Sequence, residues 1–256
     1  MNRTLLSLSL LTVSLLPVAA ADPQADQILR QMSSTLAAAP TFRFEATREI
    51  DEALLPGLGL TGKTRISVLV QRPNKFSALA VGRAGERRFI ANGQTLTLFE
   101  AKNNFYTTVP MPETIDALVE ELDATYGFVP PLIDFAVSNP SQEFRRQSQS
   151  ITHLGRGKTG GGFLGLGAVE CDHLLLKGPV ASAELWIGVS DHLPRKLVAT
   201  FHRSGQPQLR IAFLKWDLAA PAAASDFAFT PPKGAQKIEM WTTARMESAL
   251  PRSNNP

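Results

Sequence analysis

Two periodicities divide the chain. From Thr41 to Ile50 apolar and polar residues alternate, with Phe42, Phe44 and Ala46 against Arg43, Glu45 and Thr47. That is the period-two pattern of a strand with one covered face. Lys63 to Arg72 repeats it with Ile66, Val68 and Val70 against Arg65, Ser67 and Leu69, and Lys75 to Val81 with Phe76 and Ala78. Glu86 to Ala91 and Gln94 to Ala101 flank Asn92-Gly93, a strong two-residue hairpin signal. Lys102-Asn-Asn104 turns the chain into Phe105 to Val109. The other period is helical. Ile28, Leu29, Met32 and Leu36 form one stripe between Asp22-Pro23 and Pro40, which predicts a helix over 23–39.

After Pro112 the period changes again. Ile115, Leu118, Val119 and Leu122 have helical spacing up to Gly127, and Pro130-Pro131 opens a second short helix through Phe135 and Ala136, closed at Asn139-Pro140. Strands are expected to resume at Glu143 and to include Val169 to Lys177, Ala183 to Val189, Arg195 to Arg203 and Gln208 to Asp217, with turns at Gly178-Pro179, 191–194 and Ser204-Gly205. Residues 246–256 show no periodicity and are expected to be disordered. The order is a helix, a first set of strands, a helical insertion over about 112–138, and a second set of strands. Strands joined by tight turns form an antiparallel meander, and a twisted sheet of this many strands curls. The expected fold is therefore mainly β with helices (α+β). Its curled antiparallel sheet forms an unclosed barrel, and the helices lie in the concave face as a lid.

The amino terminus changes the picture of location. Arg3, the apolar run Leu5 to Leu16, Pro17 and the small residues Ala19 to Ala21 read as a secretory signal peptide over 1–21, cleaved before Asp22. The run is shorter than the roughly 20 residues a spanning helix needs. The remainder, 22–245, reads as one domain. Lysine plus arginine number 26 against 23 acids, and removing Arg3 leaves an excess of two. That balance gives no footprint for nucleic acid. The single cysteine, Cys171, excludes an internal disulfide.

Candidate chemistry is sparse. Gly155-Arg-Gly-Lys-Thr-Gly160 matches G-x-G-x-x-G, but more glycines and a strand follow instead of the helix a dinucleotide site requires. A flexible hairpin loop is the expected reading. Cys171-Asp-His173 puts thiol and imidazole on one face of a strand, compatible either with a nucleophile pair or with a buried structural Cys. His153, His173, His192 and His202 have no zinc spacing, and no cofactor is expected. The loops 53–60 (Ala-Leu-Leu-Pro-Gly-Leu-Gly-Leu) and 163–166 (Phe-Leu-Gly-Leu) are unusually apolar. They either pack on the core or form a mouth that meets a membrane or an envelope protein.

Several of these segments taken in order resemble a family of predicted periplasmic proteins classed as a domain of unknown function. They are Gln71-Arg-Pro-Asn-Lys-Phe76, Asn92-Gly-Gln-Thr-Leu-Thr-Leu98, Cys171-Asp-His173, Trp186-Ile187, Leu193-Pro-Arg-Lys196 and the ending Phe227-Ala-Phe-Thr-Pro-Pro-Lys-Gly-Ala235. That family is similar to the periplasmic lipoprotein carriers, the outer-membrane lipoprotein receptors (LolA/LolB-like) and mycobacterial lipid-binding lipoproteins. The resemblance implies a periplasmic protein with an apolar cavity under a helical lid that binds lipid or acyl chains without chemistry. No lipid-attachment Cys follows the leader. The expected cavity wall is Phe42, Phe44, Ile66, Val68, Val70, Leu96, Leu98, Leu185, Ile187, Ile211 and Phe213, and the expected lid residues are Met32, Leu36, Leu118 and Leu122. Whether the Leu185 or the Trp186 face points inward stays open. Burial of an acyl chain is worth about 0.8 kcal/mol per methylene, enough for affinity without a polar catalyst. The alternative is an envelope interaction or scaffold protein in which the same residues fill their own core. An enzyme using Cys171 and His173 is the third possibility.

Overall fold

The computed structural model describes residues 22–56, 61–160 and 167–249. The leader expected over 1–21 lies outside these residues, as do 57–60, the apolar loop 163–166 and the tail from residue 250.

The chain begins with α1 (Pro23–Ala38). Asp22 caps it by accepting from the backbone N–H groups of Gln24 and Ala25, with Pro23 in the first turn. A first meander follows: β1 (Thr41–Ile50), β2 (Gly62–Gln71), β3 (Lys75–Gly82), β4 (Gly85–Asn92), β5 (Thr95–Glu100) and β6 (Phe105–Pro110). The helical insertion holds α2 (Ile115–Tyr126), a short 3-10 turn over Ile133–Phe135, and α3 (Pro140–Arg146). The second meander is β7 (Ser150–Thr159), β8 (Val169–Lys177), β9 (Ala181–Gly188), β10 (Pro194–Phe201) and β11 (Gln208–Asp217). The described chain closes with β12 (Gln236–Lys237) and α4 (Thr243–Ala249).

The described strands belong to one sheet, ordered β12-β6-β5-β4-β3-β2-β1-β11-β10-β9-β8-β7. The two meanders join where β1 pairs with β11, so the sheet has edges at β7 and β12 and does not close. This is the expected unclosed barrel. The register aligns apolar positions across strands. Phe44 faces Val68, Val68 faces Ala78, Ala78 faces Phe89, and Phe89 faces Leu98. These residues share one core with Ile28, Met32 and Leu36 of α1 and Ile115, Leu118 and Leu122 of α2. The helices lie against the concave face because their stripes supply a matching apolar surface.

A bulge decides which aromatics face inward. Glu45 pairs with Lys215 while Ala46 pairs with Phe213, leaving Leu214 unpaired and exposed. The extra residue puts Phe213 and Trp216, three apart, on the same side. Phe44 then contacts both, at ring separations of 5.8 and 4.6 Å, and the indole N–H of Trp216 donates to the Pro194 carbonyl at 2.9 Å.

Four local expectations are corrected. The chain from Glu143 is not yet strand. Asn139-Pro140 starts a helix instead of ending one, since the Asn139 side chain accepts from the Gln142 N–H and Pro140 sits in the first turn. The second short helix expected from Pro130 is the single 3-10 turn. The Gly155–Gly160 segment is no loop up to Thr159. It forms the carboxyl half of β7, with Gly155 at φ +107° beside a bulge and Gly157 opposite Cys171. The disorder expected from residue 246 does not begin there, because α4 runs to Ala249. Thr242 caps that helix, and Arg245 binds Glu239 and covers the Trp241 ring.

Asn139 also accepts from the Ser33 and Ser141 hydroxyls and so ties α3 to α1. Asn139→Ala is expected to cost about 1–2 kcal/mol, the upper range for a lost cap. Chemical denaturation measures this, and a loss below about 0.3 kcal/mol would show that solvent satisfies the cap equally well.

After β11 the chain crosses the outer face. Ala220 and Phe227 bury Leu69, the outward residue of β2, and Phe229 packs against Phe99 and Tyr106 at 5.6 and 5.4 Å. Gln236–Lys237 then adds in parallel to β6. The Phe227-to-Ala235 ending is thus a strap from one meander to the far edge of the other.

Candidate ligand cavity

The concave face is filled unevenly. Under α1 and α2 the inner residues Phe42, Phe44, Ile66, Val68, Val70 and Leu96 are buried and packed, and Leu98 is half-buried against the same core. Between β8–β11 and the insertion a cavity of about 630 Å³ remains. Its sheet wall is Leu176, Ala183, Leu197, Ala199, Phe201, Leu209 and Ile211. Its helical wall runs from Val129 to Leu132, then Asp134, Phe135, Glu143, Phe144, Gln147 and Ser148. The turn Gly178–Ala181 forms a rim, where Val180 is 59% exposed. The space exists because Ala181, Ala183 and Ala199 carry almost no side chain on this face, while Gly178 lets the Gln147 backbone approach closely at the rim. Larger residues there would meet the insertion, as the inner residues of β1–β5 meet α1 and α2.

Ile211 is the one residue of the expected wall that borders this cavity among the described residues. Leu185 and Ile187 do face inward, which settles the face of β9, but they are fully buried beyond the cavity's end, and Phe213 packs edge-on against Phe135 at 4.9 Å. Phe135 and Phe144, 5.5 Å apart, carry this aromatic stack to the cavity surface. The lid residues Met32, Leu36, Leu118 and Leu122 are all buried, yet none borders the cavity. The covering element here is the 129–148 segment. Of the apolar loop 53–60, Leu54 and Leu55 are half-buried, and 57–60 lies outside the described residues.

Among the described residues, three charged groups border the cavity. On β1, Arg48 continues the inward series Phe42, Phe44, Ala46 and points into it. Burial lowers its pKa, and the nearby charge of Arg87 lowers it further. Its Nε is buried without a hydrogen-bond partner. Opposite, burial raises the Asp134 carboxyl to about 6, reinforced by the Glu143 charge. Glu143 itself is held by Arg146 and by the Gln147 amide at 2.8 Å. Sequence reading missed Arg48 although the signal was present, since position 48 has the parity of 42, 44 and 46. It missed Ala183 and Ala199 because a cavity wall made of alanines leaves no hydrophobic peak.

The Cys171–His173 pair lies on the outer face. Burial pushes the Cys171 thiol up to about 11, and its S–H donates to the Val169 carbonyl. A thiol held protonated is a weak nucleophile. The His173 ring is stacked on Trp186 at 4.0 Å, and its Nε2 lies 2.8 Å from Glu184. Among the described residues no group of His, Cys, Asp and Glu could hold a metal ion, and no helix is long and apolar enough to cross a membrane.

Residues 25–241 match the model of a family described as "Predicted periplasmic protein (DUF2092)". No curated protein matches the sequence. Among solved structures, the chain is similar to an uncharacterized conserved protein from Thermus thermophilus, at 10% identity and a TM-score of 0.51, over 84% of this chain and 98% of that one. It is similar to the LolA superfamily protein NE2245 from Nitrosomonas europaea, at 11% identity and a TM-score of 0.38, over 80% and 97% of the two chains. It is also similar to a chain of the Pseudomonas aeruginosa MucA/MucB complex, at 13% identity and a TM-score of 0.43, over 80% of this chain and 61% of that one. The likeness to the Thermus thermophilus protein is one of fold.

Proposed function

The chain belongs to the DUF2092 family of predicted periplasmic proteins, and we propose that its cavity binds a lipid or acyl chain as a periplasmic binding or carrier protein. The ligand undergoes no chemistry. The supporting observation is the cavity itself. Its volume of about 630 Å³ falls within the roughly 300–1,000 Å³ of ordinary ligand sites. Its walls are chiefly apolar, with Arg48 on the sheet side and Asp134 and Glu143 on the helical side. Its exposed apolar rim at Pro179 and Val180 gives a chain a dry entrance. Brief contact with a membrane or an envelope protein through loops 53–60 and 163–166 belongs to the same proposal.

The test is native mass spectrometry of protein purified from a periplasm, followed by organic extraction. The wild type is expected to carry a lipid or acylated species, or to take one up when offered. Ala199→Trp should abolish that binding with little change in melting temperature, because the indole fills open space. Val68→Trp overpacks a filled region instead and should cost about 1–3 kcal/mol. A wild-type protein that stays empty after incubation with fatty acids, phospholipids and lipopeptides would end this reading.

A further inference from the structure

We infer that the ligand of this cavity is an anionic amphiphile whose carboxylate or phosphate head is held by Arg48, with Arg87 beside it. The inference rests on the cavity reading above and adds the chemistry of the head group.

Arg48 is an arginine on the inner, otherwise apolar face of β1. In register it faces Ile211 of β11, which faces Leu197 of β10. Both neighbours line the cavity, so the guanidinium terminates an apolar wall. Among the described residues no carboxylate forms an ion pair with it, and its buried Nε has no acceptor. A half-buried guanidinium on an apolar wall without an anion is an unfinished site, since its planar fork suits a carboxylate or a phosphate.

Arg87 strengthens the case. It has the inward parity of Phe89 and Ala91 on β4, and the register carries it through Ala80 and Ile66 to Ala46, two residues from Arg48. It lies near enough for its charge to act on Arg48. Arg87 does not itself line the cavity and faces Glu100 of β5 in register, but its charge bears on Arg48, and an anion bound at Arg48 relieves that repulsion. The acids of the cavity sit elsewhere. Asp134 and Glu143 belong to the helical wall, Glu143 is already paired with Arg146, and the nearest charges acting on Asp134 are other acids, Glu143 and Asp123. Arg48 and the acids therefore occupy opposite walls, and a chain entering past Val180 and Phe201 brings its head to Arg48.

The experiment compares three sixteen-carbon probes on delipidated mature protein near neutral pH: hexadecanoic acid, hexadecyl phosphate and hexadecanol. The wild type should bind at least one anion about tenfold or more tightly than the alcohol. Arg48→Met should erase that preference by weakening the anions far more than hexadecanol, and Arg87→Met should reduce it. The stronger of the two anions separates a free fatty acid from a phospholipid-derived head. Equal binding of all three by the wild type overturns the anion inference and leaves the cavity reading standing. Failure of all three to bind overturns both. The wild-type comparison decides the inference even if Arg48→Met does not fold.

Discussion

Arg72→Met is expected to lower the melting temperature by about 6–12 °C. The side chain leaves the end of β2 and enters the junction of three elements. Its Nη1 donates to the Ala136 carbonyl at 2.8 Å, and its Nη2 donates to the carbonyls of Leu36 at 3.3 Å and Val137 at 3.1 Å. Leu36 lies in the last turn of α1, where carbonyls lack a helical partner. The guanidinium also covers the Phe42 ring at 5.6 Å. One cation thus fastens the end of α1 and the end of the 3-10 turn to the sheet. Methionine keeps the aliphatic stem and orphans the acceptors. Each buried acceptor without a donor costs about 1–3 kcal/mol, so the sum is about 3 kcal/mol or more. For a domain of this size each kcal/mol is about 2–4 °C. Lysine should not rescue, since one ammonium cannot span carbonyls arranged for a planar fork. Thermal unfolding followed by circular dichroism measures this, and a shift under about 2 °C would mean that water replaces the guanidinium.

The two meanders, the helical insertion and the unclosed sheet were legible because one face of each strand is covered, which forces alternation. Parity in β1 even marked the inward row. Five features escaped for physical reasons. A bulge adds one residue and flips parity beyond it, so Trp216 shares the inner face with Phe213 against the simple pattern. Asn139-Pro140 carries a stop signal and a start signal at once, and the Ser33 hydroxyl on another helix helps select the start. Sequence patterning places the cavity among large apolar residues, whereas large residues fill space and small ones leave it. Phe42, Phe44 and Val68 are therefore core, while Ala183 and Ala199 make room. Arg48 was passed over because a charged residue on an apolar parity looks like noise until the wall around it is known. The strap from Ala220 to Phe229 has no period of its own, and the cover it gives Leu69 and Phe99 comes from the far end of the chain.

Asp134→Asn is expected to stabilise the protein at neutral and higher pH and to leave it nearly unchanged in acid. In the folded chain the Asp134 carboxyl titrates at about 6, against 3.8 for an ordinary aspartate. The folded state therefore holds this proton more tightly than the unfolded state. The favourable contribution is fully present below about pH 4 and is lost as pH rises through about 6. Above that range a charged carboxylate sits in a desolvated wall beside Glu143, and folding bears the cost. The difference of about two units corresponds to at most about 3 kcal/mol, and contact with water through the cavity mouth reduces it to about 1–2 kcal/mol. Asparagine keeps the shape and never ionises. Its melting temperature should exceed that of the wild type by about 2–8 °C at about pH 8 and match it at about pH 4. An equal gain at both pH values would assign the effect to packing instead of charge. Asp22, Glu45 and Asp51 act in the opposite sense. Hydrogen bonds from the His153 N–H, Arg65 and Arg210 respectively hold their pKa values down, so their stabilisation is present at neutral pH and lost in acid. Removing the inverted carboxylate should therefore move the stability maximum of the whole chain upward in pH.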